Sequence, residues 1–271
     1  MAARVLAVVQ ARLGSSRLPG KALLEIAGRP MLSLVLERAR AIPGVDEVVL
    51  ATTTRPDDDA LAALARHDGV ASVRGSVDDV LDRFRAALRA HPAEAVARVT
   101  ADCPLLDPEV SGIVVREYLR HRGEADYVSN VDPPTYPDGL DTEVFSAEAL
   151  ERAWREAVRP SDREHVTTFI RDRRNGFRLR NVAHAPDLSA HRWTVDEPPD
   201  LDFVRSVYRE LSPDGARRFA MRDVLALLDA RSELLALNGG IRRNEGLERS
   251  RRLDERQLGA APTLSEGGAP R

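Results

Sequence analysis

Several kinds of residue are scarce in this chain of 271 residues, and each scarcity excludes a class of protein. Its one cysteine, Cys103, rules out an internal disulfide framework and fits a reducing compartment. No apolar run approaches the length of a membrane span. The apolar run at residues 5–9 is ended by Gln10 and Arg12 too early for a signal peptide. We therefore expect a soluble, cytoplasmic protein with no membrane partner.

A strong excess of one charge is also absent. The 40 basic residues are matched by 43 acidic ones, which gives a net charge of −3 and a pI near 6.1. This balance disfavours a nucleic-acid-binding protein, although the Arg-rich segment 242–252 could contact an anionic partner. Most arginines are therefore expected on solvated faces and in ion pairs.

Lysine is the scarcest of the charged residues. Lys21 is the only lysine among the 40 basic residues, and it lies in the most motif-like segment of the chain, residues 10–21. A compact ammonium is not equivalent to a planar guanidinium. We interpret Lys21 as a residue that contacts something arginine would contact badly, such as a phosphate in a tight loop. The alternative is that one lysine survived by accident.

Apolar runs and helical periodicity predict strands that alternate with helices. Predicted strands cover residues 5–9, 47–52, 95–100, 126–129, 140–145, 177–182 and 191–195. Predicted helices cover residues 30–41, 60–66, 78–89, 108–119, 147–158, 164–173, 200–211 and 221–237, the last as one helix or two. The alternation indicates an α/β fold with a mostly parallel central sheet and helices on both faces. We expect one domain over residues 1–246 and a polar, disordered tail over residues 247–271.

The loop after the first predicted strand combines glycines, hydroxyl groups and positive charges. Its members are Gln10, Ala11, Arg12, Gly14, Ser15, Ser16, Arg17, Gly20 and Lys21. Glycines permit close backbone approach, and three cations suit a polyanion such as a nucleoside triphosphate. A Walker P-loop would need glycine at position 15 and serine or threonine at position 22, and the dinucleotide G-x-G-x-x-G spacing is also absent. The loop therefore argues against kinases and dehydrogenases.

Two aspartates follow predicted strands. Asp102 comes after strand 95–100, at the sheet edge where ligands bind in open α/β folds. A carboxylate that faces a triphosphate loop needs a cation between them, and Mg²⁺ held by carboxylates and phosphates would supply it. The alternative is that Asp102 caps a helix or a turn, although Asp107 before Pro108 is the better N-cap. Asp196, after strand 191–195, is equally well explained as a helix cap from its position alone.

Three further groups could bind substrate, and each has a structural alternative. Asp78 and Asp79 follow Ser76, a plausible N-cap, and acidic residues are favoured at a helix start in any case. The Pro-rich loop that starts at Tyr136 carries three carboxylates that suit sugar hydroxyls, or is an ordinary hairpin with acidic tips; they are Asp138, Asp141 and Glu143. Arg163 and His165 could contact an acceptor carboxylate or phosphate, or lie on a solvated helix face.

Residues 10–21 resemble the opening motif of the cytidylyltransferases that activate sugar acids, such as KDO and acylneuraminate cytidylyltransferases, and most closely the spore coat polysaccharide biosynthesis protein F group. The similarity continues in the segments 75–84, 98–107, 136–145, 163–167, 192–198 and 241–246. It therefore spans about residues 4–246. It implies a Rossmann-like nucleotide-diphospho-sugar transferase (GT-A-like) fold and Mg²⁺-dependent transfer of CMP from CTP, with release of pyrophosphate, in polysaccharide precursor synthesis.

The resemblance also implies roles for residues. Asp196 would join Asp102 as the second metal ligand, and the turn from Gly75 and Ser76 to Asp78 and Asp79 would lie near the nucleoside. Arg12, Arg17, Lys21 and Asp102 would be catalytic, and CTP and a sugar-acid-like acceptor would be the ligands. The alternatives are a glycosyltransferase of the same fold and a non-catalytic nucleotide-binding subunit. The related families also make a homodimer plausible.

Overall fold

The computed structural model describes residues 3–241, 243 and 245–259. Its strands are β1 (Val5–Gln10), β2 (Glu25–Ile26), β3 (Arg29–Pro30), β4 (Glu47–Thr53), β5 (Ala71–Gly75), β6 (Ala95–Thr100), β7 (Tyr127–Ser129), β8 (Glu143–Ser146) and β9 (Leu179–Asn181). Its helices are α1 (Met31–Arg40), α2 (Asp59–His67), α3 (Val80–Ala90), α4 (Pro108–Arg120), α5 (Ala147–Glu156), α6 (Pro160–His165), α7 (Thr168–Arg171), α8 (Pro198–Leu211), α9 (Met221–Ala230) and α10 (Glu245–Gly259). Short 3₁₀ turns connect several of them, including one at Lys21–Leu23.

Seven strands form the central sheet, in the order β5-β4-β1-β6-β8-β7-β9. The pairs among β5, β4, β1 and β6 are parallel, as is the β7–β9 pair, whereas β8 runs antiparallel to both β6 and β7. The sheet is therefore mostly parallel, and the predicted α/β fold class is confirmed. Because β1, β4, β5 and β6 are parallel, their carboxyl ends meet at one edge, where ligands bind in such folds.

Helices cover both faces of the sheet because successive side chains of a strand point to opposite faces. Val5, Ala7 and Val9 of β1 pack with α1, α2 and α4 on one face. Leu6 and Val8 pack with α3 and α5 on the other. The run at residues 5–9 is thus buried on both sides, as its uninterrupted apolar sequence predicts.

A third apolar cluster joins α8 and α9 to the segment around Trp193 and to the loop at residues 136–140. The loop touches that segment at Gly139, which has φ 108°. A Cβ atom at residue 139 would lie 2.7 Å from the carbonyl carbon of Trp193 and 2.8 Å from the amide nitrogen of Thr194. Only glycine fits there, and the close approach brings residues 138–141 beside residues 192–196.

Two predicted elements differ from the structure, and a third, predicted as one helix or two, is found as two. The helix predicted over residues 164–173 is broken at Val166, whose φ of 62° takes the chain out of helical geometry while the side chain is buried. The segment 191–195 forms no strand; its one ladder contact is the bridge between Asp138 and Arg192. The segment 221–237 is α9 followed by a 3₁₀ turn at Ser232–Ala236.

The predicted tail also differs, because residues 247–259 continue the helix α10 rather than being disordered. Ser250 donates to Glu164 at 2.8 Å, and the amide of Ser161 donates to Asp254 at 3.2 Å, so both contacts tie α10 to α6. Residues 260–271 of the predicted tail, and positions 242 and 244, lie outside the described residues. Among the helices described, none is long and apolar enough to cross a membrane.

Candidate active site

A cavity of about 540 Å³ opens at the carboxyl edge of the parallel strands. Its wall is formed by the loop after β1, the residues that follow β6, the loop before β8, the segment 192–196 and the first turns of α10. Every predicted residue of the opening loop lines it except Gly20: Gln10, Ala11, Arg12, Gly14, Ser15, Ser16, Arg17 and Lys21. The structure therefore gathers the cationic loop and the strand ends into one site.

The loop after β1 is held in shape by its own backbone and by Asp58, the N-cap residue before α2. The amide of Leu13 donates to Asp58 at 2.8 Å, and the amide of Gly20 donates to the carbonyl of Leu13 at 3.1 Å. Gly20 has φ 71°, a conformation that favours glycine. The turn delivers Lys21 to the cavity at the start of a 3₁₀ turn.

Lys21 bridges the two aspartates that the sequence singles out. Its Nζ donates to Asp102 Oδ2 at 2.8 Å, to Asp196 Oδ1 at 2.8 Å and to the carbonyl of Val195 at 2.9 Å. Three donors of one ammonium thus meet three acceptors. A guanidinium is a larger, planar fork and cannot converge on one point in this way. This contact gives a physical reason for a lysine at position 21.

The charges of this cluster stabilise each other. Burial raises the pKa of Asp102, but the attraction and hydrogen bond of Lys21 outweigh burial and lower it to about 2. Burial likewise depresses the pKa of Lys21, and the charges of Asp102 and Asp196 more than reverse this, so the net shift is upward. Near neutral pH Lys21 is therefore charged and Asp102 is ionised.

Two arginines extend the cluster. Arg17 lies 2.9 Å from Asp196 and 3.9 Å from Glu245 of α10. Arg192, buried beneath the site, lies 3.3 Å from Asp196 and donates to Asp200, the first-turn acid of α8, at 2.9 Å. The carboxylate of Asp196 is therefore oriented from three sides by cations.

Beyond the Lys21 cluster, on the β8 side, is a region we call the acidic wing: Asp138, Asp141, Glu143 and His165. Glu143 is its most buried member. Tyr127 and Thr167 each donate to Glu143 at 2.6 Å, and Arg98 forms a hydrogen-bonded ion pair with it. Burial raises the pKa of Glu143, but Arg98 and the other donors lower it to about 2. Glu143 is thus a permanently charged anchor of this wing.

The other two carboxylates of the acidic wing are less well compensated. Burial, followed by repulsion from Asp141, raises the pKa of Asp138 to about 7, although Arg192 lies at 3.3 Å and Arg243 at 3.8 Å. Burial also raises the pKa of Asp141, despite its hydrogen bond from Arg243. Asp138 is therefore a cavity carboxyl that changes protonation near neutral pH, as a general base does.

On the opposite side of the Lys21 cluster, toward β5, lies what we call the basic wing: Ala11, Arg12, Val80 and Arg83. Arg12 donates to the carbonyl of Val77 at 3.3 Å and to Glu164 at 3.3 Å. His165, the fourth member of the acidic wing, faces the cavity and contacts Ser250 of α10 at 3.0 Å. Burial lowers the pKa of His165 to about 4, so it is neutral at physiological pH.

Six predicted site residues lie outside the cavity lining: Gly75, Ser76, Asp78, Asp79, Tyr136 and Arg163. Asp79, rather than Ser76, is the N-cap of α3, and it accepts from the amide of Asp82 at 2.8 Å. Arg163 donates to Asp79 and to the carbonyl of Trp154, so it fixes the start of α3. Tyr136 is buried in the third apolar cluster. The turn still borders the site, because the carbonyl of Val77 holds Arg12.

Several cavity residues were missed by the sequence reasoning. They are Arg83, Arg98, Arg171, Arg192, Thr194, Glu164, Arg243, Glu245, Arg249 and Ser250. Most of these are arginines, and a chain with 40 basic residues gives no compositional signal for any particular one. The motif blocks quoted above do contain seven of these residues, which was the available signal for them: Arg83, Arg98, Glu164, Arg192, Thr194, Arg243 and Glu245.

Asp102 and Asp196 are the carboxylates that could bind a divalent cation in this cavity. Asp102 and Asp196 each place an oxygen 2.8 Å from the same nitrogen, so both converge on one point. Over residues 3–241, 243 and 245–259, no group of three or more His, Cys, Asp or Glu side chains could hold a metal ion. Mg²⁺ commonly takes one or two carboxylates and completes its shell with waters and substrate phosphates. The two aspartates therefore fit an ion that arrives with a phosphate ligand.

Fold and site together define a class: nucleotidyltransferases of the Rossmann-like fold, with a cationic loop after the first strand and carboxylates at the sheet edge. The chain belongs to the cytidylyltransferase family, whose model matches residues 6–257. It is 33% identical over 242 residues to the uncharacterized protein MJ1063 of Methanocaldococcus jannaschii, covering 88% of this chain and 96% of that protein. It is 30% identical to the spore coat polysaccharide biosynthesis protein SpsF of Bacillus subtilis, covering 76% of this chain and 87% of that protein.

Solved structures agree. A cytidylyltransferase from Leptospira borgpetersenii superposes with a TM-score of 0.79 at 27% identity, covering 86% of this chain and 96% of that one. CMP:2-keto-3-deoxy-manno-octonic acid synthetase, solved with CTP, superposes with a TM-score of 0.58 at 21% identity, over 76% of this chain and 99% of that one. The second likeness concerns the fold alone. The predicted enzyme class, nucleotidyltransferase, is confirmed.

Proposed function

We propose that this enzyme transfers CMP from CTP to a sugar acid or a related acceptor and releases pyrophosphate, with Mg²⁺ as cofactor. The single observation that carries the proposal is the cluster in which Lys21, at the end of the cationic loop, joins Asp102 and Asp196 in the cavity. The cluster offers both signs of charge at one point, as a triphosphate with its counter-ion requires.

The division of charge in the cavity supports an orientation for the two substrates. The carboxylates of the acidic wing are paired with arginines, and they suit the hydroxyl groups of a sugar. The basic wing carries Arg83 and Arg12, and Arg12 is paired with the cavity residue Glu164. We therefore place the acceptor in the acidic wing, the nucleoside in the basic wing, and the phosphates between them at Lys21.

The proposed reaction is an in-line displacement at the α-phosphorus. An acceptor oxygen forms a bond to that phosphorus, the bond to the bridging oxygen of the β-phosphate breaks, and pyrophosphate leaves with the electron pair. An acceptor hydroxyl gives its proton to Asp138, whose pKa of about 7 suits a general base. Arg17 and Lys21 hold the negative charge that moves onto the leaving group, so positioning and electrostatics do most of the work.

Asp102 and Asp196 would hold the Mg²⁺ ion, which neutralises and orients phosphate oxygens when bound. In the free protein, Lys21 occupies the point between the two carboxylates. On binding, Lys21 would turn toward a phosphate, a small movement for a side chain with a flexible stem.

Calorimetric titration of CTP tests this proposal. We expect the protein to bind CTP in the presence of Mg²⁺, and Asp196→Asn to weaken that binding about tenfold or more and remove most of its dependence on Mg²⁺. Asp202→Asn, an exposed position on α8, is the matched control and should bind like the wild type. A wild-type protein that binds no nucleoside triphosphate with Mg²⁺ would contradict the proposal.

A further inference from the structure

Arg83 is a buried cation of the basic wing, and two of its guanidinium nitrogens have no hydrogen-bond partner among the described residues. The residue is 2% exposed and lines the cavity. Within the part of the chain that the structure describes, its Nε and Nη1 atoms are buried without any partner. Burying donors of a charged group without acceptors is costly, and native proteins rarely leave it uncompensated. The exception therefore needs an explanation.

The position of Arg83 is built into the fold rather than adopted by a mobile side chain. Arg83 lies on α3, and its stem crosses Gly75 at the end of β5. A Cβ atom at residue 75 would lie 2.9 Å from Cγ of Arg83. The glycine thus leaves the space through which the guanidinium reaches the cavity.

The charged groups near Arg83 do not neutralise it by contact. Asp58 accepts from Thr53 and from the amide of Leu13, and Asp79 accepts from Arg163 and from the amide of Asp82, so both carboxylates serve other donors. Burial, followed by repulsion from Arg12, lowers the pKa of Arg83 to about 10. The buried Nε and Nη1 donors of Arg83 therefore have no hydrogen-bond acceptor among the described residues.

The position of Arg83 also separates it from the reaction centre. Arg83 crosses the end of β5, whereas Asp102 follows β6, and β4 and β1 lie between these strands. Three strand spacings amount to roughly 14 Å. Phosphates held by Lys21, Asp102 and Asp196 would therefore lie on the far side of the cavity from the strand that Arg83 crosses. The group nearest Arg83 would be the other end of the nucleotide.

We propose that Arg83 recognises the base of the nucleotide by donating hydrogen bonds to acceptor atoms on its Watson–Crick edge. The inference rests on the proposed function and deepens it, because it assigns a residue to base selection. A guanidinium carries five N–H donors and no acceptor. Cytosine presents two neighbouring acceptors, O2 and N3, whereas uracil presents a donor at N3. Arg83 therefore favours cytosine over uracil. With uracil bound, a buried N–H of Arg83 would face the N3–H donor of the base and stay unpaired, which weakens the binding of uracil further.

The test measures binding of CTP, UTP and inorganic tripolyphosphate, each with Mg²⁺, to the wild type, Arg83→Met and Arg89→Met. Methionine keeps an apolar stem but removes every donor, and Arg89 is an exposed residue of the same helix. We expect Arg83→Met to bind CTP about tenfold or more weakly, to lose most of its preference for CTP over UTP and to bind tripolyphosphate as the wild type does. Arg89→Met should match the wild type throughout.

A second readout separates recognition from a structural role. Since Arg83 is a buried cation with two guanidinium nitrogens that have no partner among the described residues, Arg83→Met should leave the Tm of the free protein unchanged or raise it by on the order of 2–4 °C. If Arg83→Met does not fold, Arg83→Lys, which keeps the charge but not the planar fork, should show the same selective loss of CTP.

Two results would overturn the inference. Equal loss of CTP and tripolyphosphate affinity would make Arg83 a phosphate contact, and unchanged CTP affinity would remove it from the nucleotide site. Both are distinct from failure of the proposed function, in which the wild type itself would bind no nucleotide.

Discussion

Removal of the ammonium of Lys21 should destabilise the protein, because two inward-facing carboxylates would lose their shared cation. Lysine to methionine, Lys21→Met, keeps the length of the stem and removes only the charge and the donors. The Lys21 side chain is 14% exposed, and those of Asp102 and Asp196 are 26% and 21% exposed. Deleting one partner of a fully buried pair costs about 3–5 kcal/mol. With this partial exposure we expect a loss of about 2–4 kcal/mol near pH 7.

The loss should depend on pH in a direction that follows from the pKa shifts. In the wild type, the lowered pKa of Asp102, about 2, contributes stability above its unfolded pKa near 3.8, and this is lost as pH falls through 2. The raised pKa of Lys21 contributes stability below about 10.5, which is lost as pH rises through the folded value. In Lys21→Met, only the hydrogen bonds from Thr100 and the backbone still oppose burial, so the pKa of Asp102 should be higher than in the wild type. The gap between variant and wild type should therefore narrow as pH is lowered from 7 toward 4.

Urea unfolding of the wild type and Lys21→Met at several pH values measures both effects. Arg4→Met is a useful comparison, since Arg4 pairs with Glu47 on the surface with its side chain 49% exposed, and its loss should cost about 0–1 kcal/mol. Added Mg²⁺ should stabilise Lys21→Met more than the wild type, because the two carboxylates are then free to hold the ion. Equal unfolding free energies for Lys21→Met and the wild type at every pH would refute this reasoning.

Three further predictions concern the loop before β8. Relative to the wild type, Asp138→Asn should be more stable at pH 8 than at pH 5. The pKa of Asp138 is raised to about 7, so the wild type loses stability as the pH rises from about 4 to 7, and the variant does not. Thermal unfolding measured across this pH range should show the difference, and parallel pH profiles for the two proteins would contradict it. Gly139→Ala should cost about 1–3 kcal/mol or more, because its Cβ would meet the Trp193 backbone at a positive φ; urea unfolding measures it, and a neutral result would contradict that packing. Glu143→Gln should cost about 3–5 kcal/mol in the same assay, since it leaves the Arg98 charge inside without its partner, and a stable variant would show that Glu143 is not an anchor.

Much of the fold could be predicted because its signals are local. The apolar run at residues 5–9 and the alternation of strand and helix identify a parallel sheet, and Asp107 caps α4 as Asp-Pro predicts. The break at Val166 could not be predicted, since it depends on burying one side chain after α6 rather than on any helix-stop residue. The helical α10 was missed because its hydrogen bonds are to α6, far away in sequence.

Some residues of the candidate site could likewise be identified from local sequence signals, and others could not. Lys21, Asp102 and Asp196 were identified because a rare residue, a strand end and a motif each marked one of them. Sequence reasoning gave Lys21 a phosphate and the aspartates a metal, whereas the structure joins the three directly. Arg83 was missed because its significance lies in the absence of a nearby acceptor, which only three-dimensional packing reveals. The homodimer stays a prediction.

Pyrophosphate release tests the central claim most directly. CTP, UTP, ATP and GTP, each with Mg²⁺, would be combined with a panel of sugar acids, sugars and phosphonates, and Lys21→Arg would serve as the matched variant. We expect release with CTP and one class of acceptor, and its loss in Lys21→Arg, because a planar guanidinium would not make the phosphate contact proposed for the compact ammonium of Lys21. Silence with every pair, together with hydrolysis of a nucleotide-sugar, would contradict the account.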